Sequence, residues 1–257
     1  MRKLFTIALL FCGVLTSLHA TVLSGTFTLD GTVVITNTGL IEWISNTSVA
    51  NQATISAGTQ TGTFVGTGNQ TVNIHTLNEA PGNEPINSSF TNFDFIDFPA
   101  DPTFPALLAN FIPDGSGTPA NCSTNPGLAV ANQTCTLTST TAPPSLFTGG
   151  SPYTFFNTES SSGGKPFCCT SSATWNISGV TSDGQSIWSG EFNATFVTSY
   201  QQVLANFVSN GQVTDAYSGD FTVTITPVPE VSTLGLSGLG LIMLWIGSRR
   251  RKPRTEG

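Results

Sequence analysis

His75 is the one histidine outside the N-terminal leader, and it stands in Val72-Asn73-Ile74-His75-Thr76-Leu77. Side chains alternate faces along a strand, so Val72 and Ile74 share one side and His75 takes the other. It reads as an exposed strand residue. No G-x-S-x-G elbow accompanies it, and no P-loop, dinucleotide-binding glycine pattern or H-E-x-x-H occurs. No cofactor is therefore implied, and hydrolysis of esters, peptides or phosphoesters is not expected.

Carboxylates are the remaining reactive groups. Asp94, Asp97 and Asp101 form the densest acidic cluster, in Asn92-Phe93-Asp94-Phe95-Ile96-Asp97-Phe98-Pro99-Ala100-Asp101. Hard oxygen donors at a strand end suit calcium. A regular strand sends Asp94 and Asp97 to opposite faces, which favours solvated or turn-capping roles over a metal site. A glycosidase needs two carboxylates about 5–10 Å apart. Glu42, Glu79, Glu84, Glu159 and Glu191 offer candidates, but no spacing singles out a pair.

Trp43, Trp175 and Trp188 lie in β-type runs. An exposed indole on a strand stacks on sugar rings through its apolar face. Burial in the core is the competing and more general role for all three.

Cys122, Cys135, Cys168 and Cys169 remain once the leader, with Cys12, is removed. An even count in an oxidising compartment implies disulfides, with three connectivities open. The group lacks the histidines and paired C-x-x-C spacing of a zinc site.

Both ends of the chain carry an address. Met1-Arg2-Lys3, an apolar stretch at 4–14 and small residues at 16–20 make residues 1–20 a secretory signal peptide. At the other end, Pro229-Glu230-Val231-Ser232-Thr233 precedes an apolar run at 234–246. The basic cluster Arg249, Arg250, Arg251 and Lys252 follows it. Such a cluster stays on the cytoplasmic side, so the segment reads as a stop-transfer element with the body outside. Residues 231–247 form a single transmembrane helix of roughly 25 Å, short for a bilayer core of about 30 Å. A transient sorting tail fits that length better than a permanent anchor.

The tail resembles the PEP-CTERM sorting signal of Gram-negative bacteria, through Val-Pro-Glu, Ser-Thr-Leu, the Gly/Leu-rich helix and the arginine cluster within residues 228–252. Val231 departs from the pattern, standing where a second proline is usual. The resemblance covers about a tenth of the chain. It implies recognition by an exosortase, a membrane transpeptidase, and delivery to the cell surface or extracellular matrix. Contact with exopolysaccharide is a further implication.

Between residues 21 and 229 the only Lys or Arg is Lys165, against thirteen Asp and Glu. Nucleic-acid binding depends on Lys and Arg neutralising phosphates, so that class is excluded. Anionic lipid surfaces are excluded on the same ground.

The elements that must position these groups are β-strands. Short runs rich in Val, Ile, Thr and Phe, bounded by Gly, Asn and Asp, predict an all-β body at 21–226. Its expected form is an antiparallel β-sandwich of jelly-roll type with two short helices. Strands are predicted at 22–29, 32–36, 40–44, 61–65, 71–77, around Phe90 to Phe98, and at 174–180, 186–197 and 213–226. Asp30-Gly31 and Asp183-Gly184 read as hairpin turns. The helices are predicted at 105–111 and 200–208, with Ser199 as N-cap of the second. Their matching sequences, Leu107-Leu108-Ala109-Asn110-Phe111 and Val203-Leu204-Ala205-Asn206-Phe207, suggest two similar strand–helix–turn units. Residues 115–164 read as a long loop.

The sequence thus points to an exported, non-enzymatic surface protein of structural or adhesive role. A carbohydrate-binding module and a surface hydrolase with paired carboxylates are the alternatives.

Overall fold

The computed structural model describes residues 22–37, 40–78, 84–141, 150–159 and 169–226. The expected signal peptide and sorting tail lie outside them, as do Cys168 and Glu79. Among the described residues no helix is long and apolar enough to cross a membrane.

The described residues form twelve strands in chain order. They are β1 (Gly25–Thr36), β2 (Leu40–Ile44), β3 (Gln52–Ile55), β4 (Thr71–Ile74), β5 (Leu77–Asn78) and β6 (Phe93–Asp97). Then come β7 (Leu107–Phe111), β8 (Thr134–Cys135), β9 (Thr154–Thr158), β10 (Thr170–Thr181), β11 (Ser186–Phe196) and β12 (Gln212–Ile225). Among the described residues one α-helix, α1 (Tyr200–Asn210), joins β11 to β12.

The expected sandwich is a barrel instead. Strands β11, β12, β1, β3, β4, β6, β7 and β10 lie in that order, and β10 pairs back onto β11 to close an eight-stranded antiparallel ring. The closing seam is long, with ten residue pairs from Ser171↔Phe196 to Val180↔Ile187. Closure removes the free edges that two stacked sheets would leave. The long strands outrun the short ones. Beyond the ring, β1 carries β2, which pairs with β5, and β10 carries β9, which pairs with β8.

Alternation follows the wall of the barrel. Every second residue of β11 is buried, from Ser186 through Trp188, Gly190, Phe192 and Ala194 to Phe196, while the residues between face out. Aromatic rings fill the interior. Phe192 stacks on Trp175 at 5.3 Å between centroids and touches Trp43 at 4.7 Å; Phe95 stacks on Trp188, and Phe27 on Phe221. The barrel is a packed core, as small barrels filled by side chains are.

Three local expectations give way to tertiary packing. Asp30-Gly31 makes no turn, because β1 runs through it unbroken. Gly31 is needed for close approach: a Cβ there would sit 2.6 Å from the Ile44 carbonyl oxygen and 2.9 Å from the Tyr217 ring. Residues 61–65 form no strand. Gly62–Phe64 is a 3-10 turn that lays Phe64 against Phe27, 4.6 Å apart.

The helix expected at 105–111 is strand β7, and the two matching pentapeptides are not two copies of one unit. Leu107 and Ala109 point into the barrel between β6 and β10, whereas Val203 and Leu204 lie on the buried side of α1. Neighbouring strands override a pentapeptide's own preference.

Helix α1 forms where predicted, but its N-terminus is held differently. Ser199 makes no side-chain cap bond. Asn157 on β9 supplies the cap, its Oδ1 accepting the Tyr200 N–H at 3.0 Å. Asn157 also donates to Gln201 Oε1 and to the Val130 carbonyl, and Gln201 donates to Gln133. This buried network fastens the helix to the middle of the chain.

That middle is more ordered than a loop. It holds β8, β9 and two 3-10 turns, and a disulfide joins Cys122 to Cys135, with Cα atoms 5.1 Å apart. Cys169 is disulfide-bonded as well. The Cys122–Cys135 bridge spans a sequence separation of 13. A loop of about 15 residues corresponds to roughly 3 kcal/mol in the chain-entropy model. Cys122→Ser/Cys135→Ser is expected to lose about that much in urea denaturation; an unchanged midpoint would refute the assignment.

Candidate functional site

A β-bulge brings the reactive side chains together. Along β6, Phe93 pairs with Ala109 and Asp94 with Leu108, but Ile96, not Phe95, pairs next with Leu107. Phe95 is the extra residue, and Phe95 and Ile96 are both buried. A bulge of this kind shifts the alternation by one. Asp94 and Asp97 therefore share the outer side, contrary to the regular-strand expectation.

His75 completes the group. It follows β4, and its backbone N–H donates to the Phe95 carbonyl at 2.8 Å, which holds it beside the bulge. Its Nε2 lies 3.1 Å from Asp97 Oδ2. The Phe93 ring stands edge-on to the imidazole, 6.5 Å away. One ligand atom each from His75, Asp94 and Asp97 lie within 4.8 Å of one another. The three residues are half-buried or exposed, so one side of the group is open to water.

Asp101 does not join them. It sits in the turn after β6, where its N–H donates to the Phe98 carbonyl and its own carbonyl accepts from Phe104. The three aspartates weighed as a calcium candidate are thus not gathered together; Asp94 and Asp97 meet His75 instead, a mixed nitrogen and oxygen set.

The Asp94 carboxyl is held above its ordinary range, first by partial desolvation, then by the negative charge of Asp97, with His75 pulling the other way.

The tryptophans are elsewhere. Trp43, Trp175 and Trp188 are 0%, 1% and 3% exposed, so none offers a face to a sugar. Trp188 spends its N–H inside, donating to the Leu108 and Val180 carbonyls. The stacking role is overturned because all three fall on inward positions of the barrel and its extension.

Among the glutamates, Glu191 lies on the outer wall directly opposite Asp220 of β12. Thr28 donates to that aspartate at 2.7 Å. This carboxylate pair was not apparent from sequence spacing, because the partners are 29 residues apart and only the β11–β12 register joins them. It sits on an exposed wall. Glu84 is buried, and Glu159 is exposed at the end of β9.

The outer wall around that pair is rich in hydroxyl and amide groups. Thr26, Thr222, Ser189 and Ser178 form one row across β1, β12, β11 and β10. Asp30, Ser218, Asn193 and Thr174 form another.

No family model, curated protein or solved structure matches the chain.

Proposed function

We propose that this chain is an exported, non-enzymatic protein of the cell surface or extracellular matrix, structural or adhesive in role. Residues 228–252 would deliver it through an exosortase-type enzyme, with residues 231–247 a temporary anchor in the inner membrane. The observation that carries export is the Cys122–Cys135 disulfide, since such bonds persist in oxidising compartments and are rare in the cytosol. It agrees with the N-terminal leader and the C-terminal tail expected from the sequence.

A structural role is supported by where the side chains go. The barrel interior is filled by aromatic rings, which leaves the outer wall as the working surface. Rows of Ser, Thr and Asn on that wall suit hydrogen bonding to a hydroxyl-rich polymer, so exopolysaccharide is the contact we favour. A surface hydrolase would need paired carboxylates, and the cross-strand pair Glu191 and Asp220 lies on an exposed wall without the enclosure that makes electrostatic catalysis effective.

Fractionation of host cells tests the proposal. Wild-type protein is expected in the surface or matrix fraction, and Glu230→Ala is expected to accumulate as a longer, membrane-bound form. Wild-type protein in the cytoplasm with Cys122 and Cys135 reduced would overturn it.

A further inference from the structure

We propose that His75, Asp94 and Asp97 bind a divalent first-row transition metal, Zn²⁺ foremost, which clips the end of β4 to β6. The donor set argues for this class of ion. Calcium takes six to eight oxygens at about 2.3–2.6 Å. This group offers one imidazole nitrogen and two carboxylates, and Asp101 stands apart. Imidazole suits zinc and its neighbours, while all-oxygen sets suit calcium and magnesium.

The spacing fits as well. Zinc holds nitrogen and oxygen at about 2.0–2.2 Å in a tetrahedron, which places ligand atoms roughly 3.3 Å apart. Nε2 of His75 and Oδ2 of Asp97 are already 3.1 Å apart, and all three ligand atoms lie within 4.8 Å. Only a small inward movement of the exposed Asp94 side chain is needed. The open side leaves a fourth position for water.

An independent argument comes from charge. Residues 21–229 contain no Arg and a single Lys, Lys165, which lies outside the described residues. Asp94 and Asp97 thus face one imidazole and no lysine or arginine among the described residues. Two carboxylates gathered on one side by a bulge call for a counter-charge, and a divalent ion supplies it.

The place gives the ion a purpose. Strands β4 and β6 meet through only two residue pairs, Asn73↔Asp97 and Ile74↔Ile96, against ten across β10 and β11. His75 extends this short seam on the β4 side, and Asp94 and Asp97 flank the bulge on the β6 side. An ion bridging them reinforces one of the thinnest contacts in the ring. Because the ligands converge only in the folded chain, binding stabilises the fold.

Thermal melting of the exported protein, stripped with chelator and titrated with zinc chloride, tests this, alongside calorimetric titration. One ion per chain is expected, with the melting temperature rising about 5–10 °C at a hundredfold excess over Kd. His75→Ala and Asp97→Asn should each abolish the rise, while Asp101→Asn keeps it. Both variants change partly exposed side chains, so their metal-free melting temperatures should stay near wild type, which separates loss of binding from loss of fold. No rise in the wild type would overturn the proposal. So would a rise that survives His75→Ala, or an equal rise with calcium chloride that does not depend on His75.

Discussion

Phe192→Ala is expected to cost about 3–5 kcal/mol of folding stability, the range for removing a buried aromatic ring. Phe192 is fully buried at the crossing of the aromatic core. Trp43, Trp175, Phe95, Tyr217 and Phe221 all have ring centroids within 6.2 Å of it. Gly219 is bare because a Cβ there would lie 2.8 Å from the Phe192 ring, so the wall is shaped around this side chain. Small domains hold only about 5–15 kcal/mol in total, so the loss is a large share. Ile187→Ala, on the same strand but 52% exposed, should change stability by about 0.5 kcal/mol or less. Chemical denaturation of the two variants checks the contrast. A loss below about 1 kcal/mol for Phe192→Ala would mean that the ring does not sit in a packed interior.

The second large effect concerns closure of the ring. Gly179 on β10 lies at the seam with β7, where the register shifts between Ser178 and Gly179. A Cβ at Gly179 would lie 1.8 Å from the backbone oxygen of Leu108 and 3.0 Å from the Cα of Ala109. Backbone cannot yield as a flexible side chain can. Leu108 O also accepts the Trp188 indole N–H, so pushing β7 outward breaks a second contact. Gly179→Ala is expected to lose about 3 kcal/mol or more, at or beyond the upper range for overpacking. Gly184→Ala serves as the comparison. Gly184 has φ +70° in the β10–β11 hairpin with nothing within 4 Å, so only backbone strain of about 1–2 kcal/mol opposes a side chain there. Equal losses for the two, measured by denaturation, would argue against the β7–β10 seam and hence against a closed barrel.

Local pattern carried much of the strand content. β2 matches its predicted span, and β11 and β12 match theirs to within one residue. Their alternation is clean because one face meets the core and the other meets water. Asp183-Gly184 marks a true turn because the chain reverses there with no neighbour pressing on it. Ring closure was not legible, since it depends on β7 meeting β10 and β6 meeting β4, pairings that no local pattern encodes. The pentapeptides at 107–111 and 203–207 show the same limit: nearly identical residues become strand or helix according to what lies beside them.

The candidate metal group was half legible. The acidic cluster was visible, yet a regular strand separates Asp94 from Asp97. The consecutive apolar pair Phe95-Ile96, between two aspartates, is the signal of a bulge, because both side chains need the core. His75 stands 19 residues before Asp94 and is joined to it only by the β4–β6 pairing, so nothing local linked the two.

The central claim is that this barrel is exported and released from its tail. Its most direct test is the intact mass of the mature protein recovered from the surface of the native host. The account predicts a chain that begins near Thr21, lacks residues 234–257 and carries the Cys122–Cys135 disulfide. A mature chain still ending at Gly257, held in the membrane, would contradict it, and the tail would then be a plain anchor.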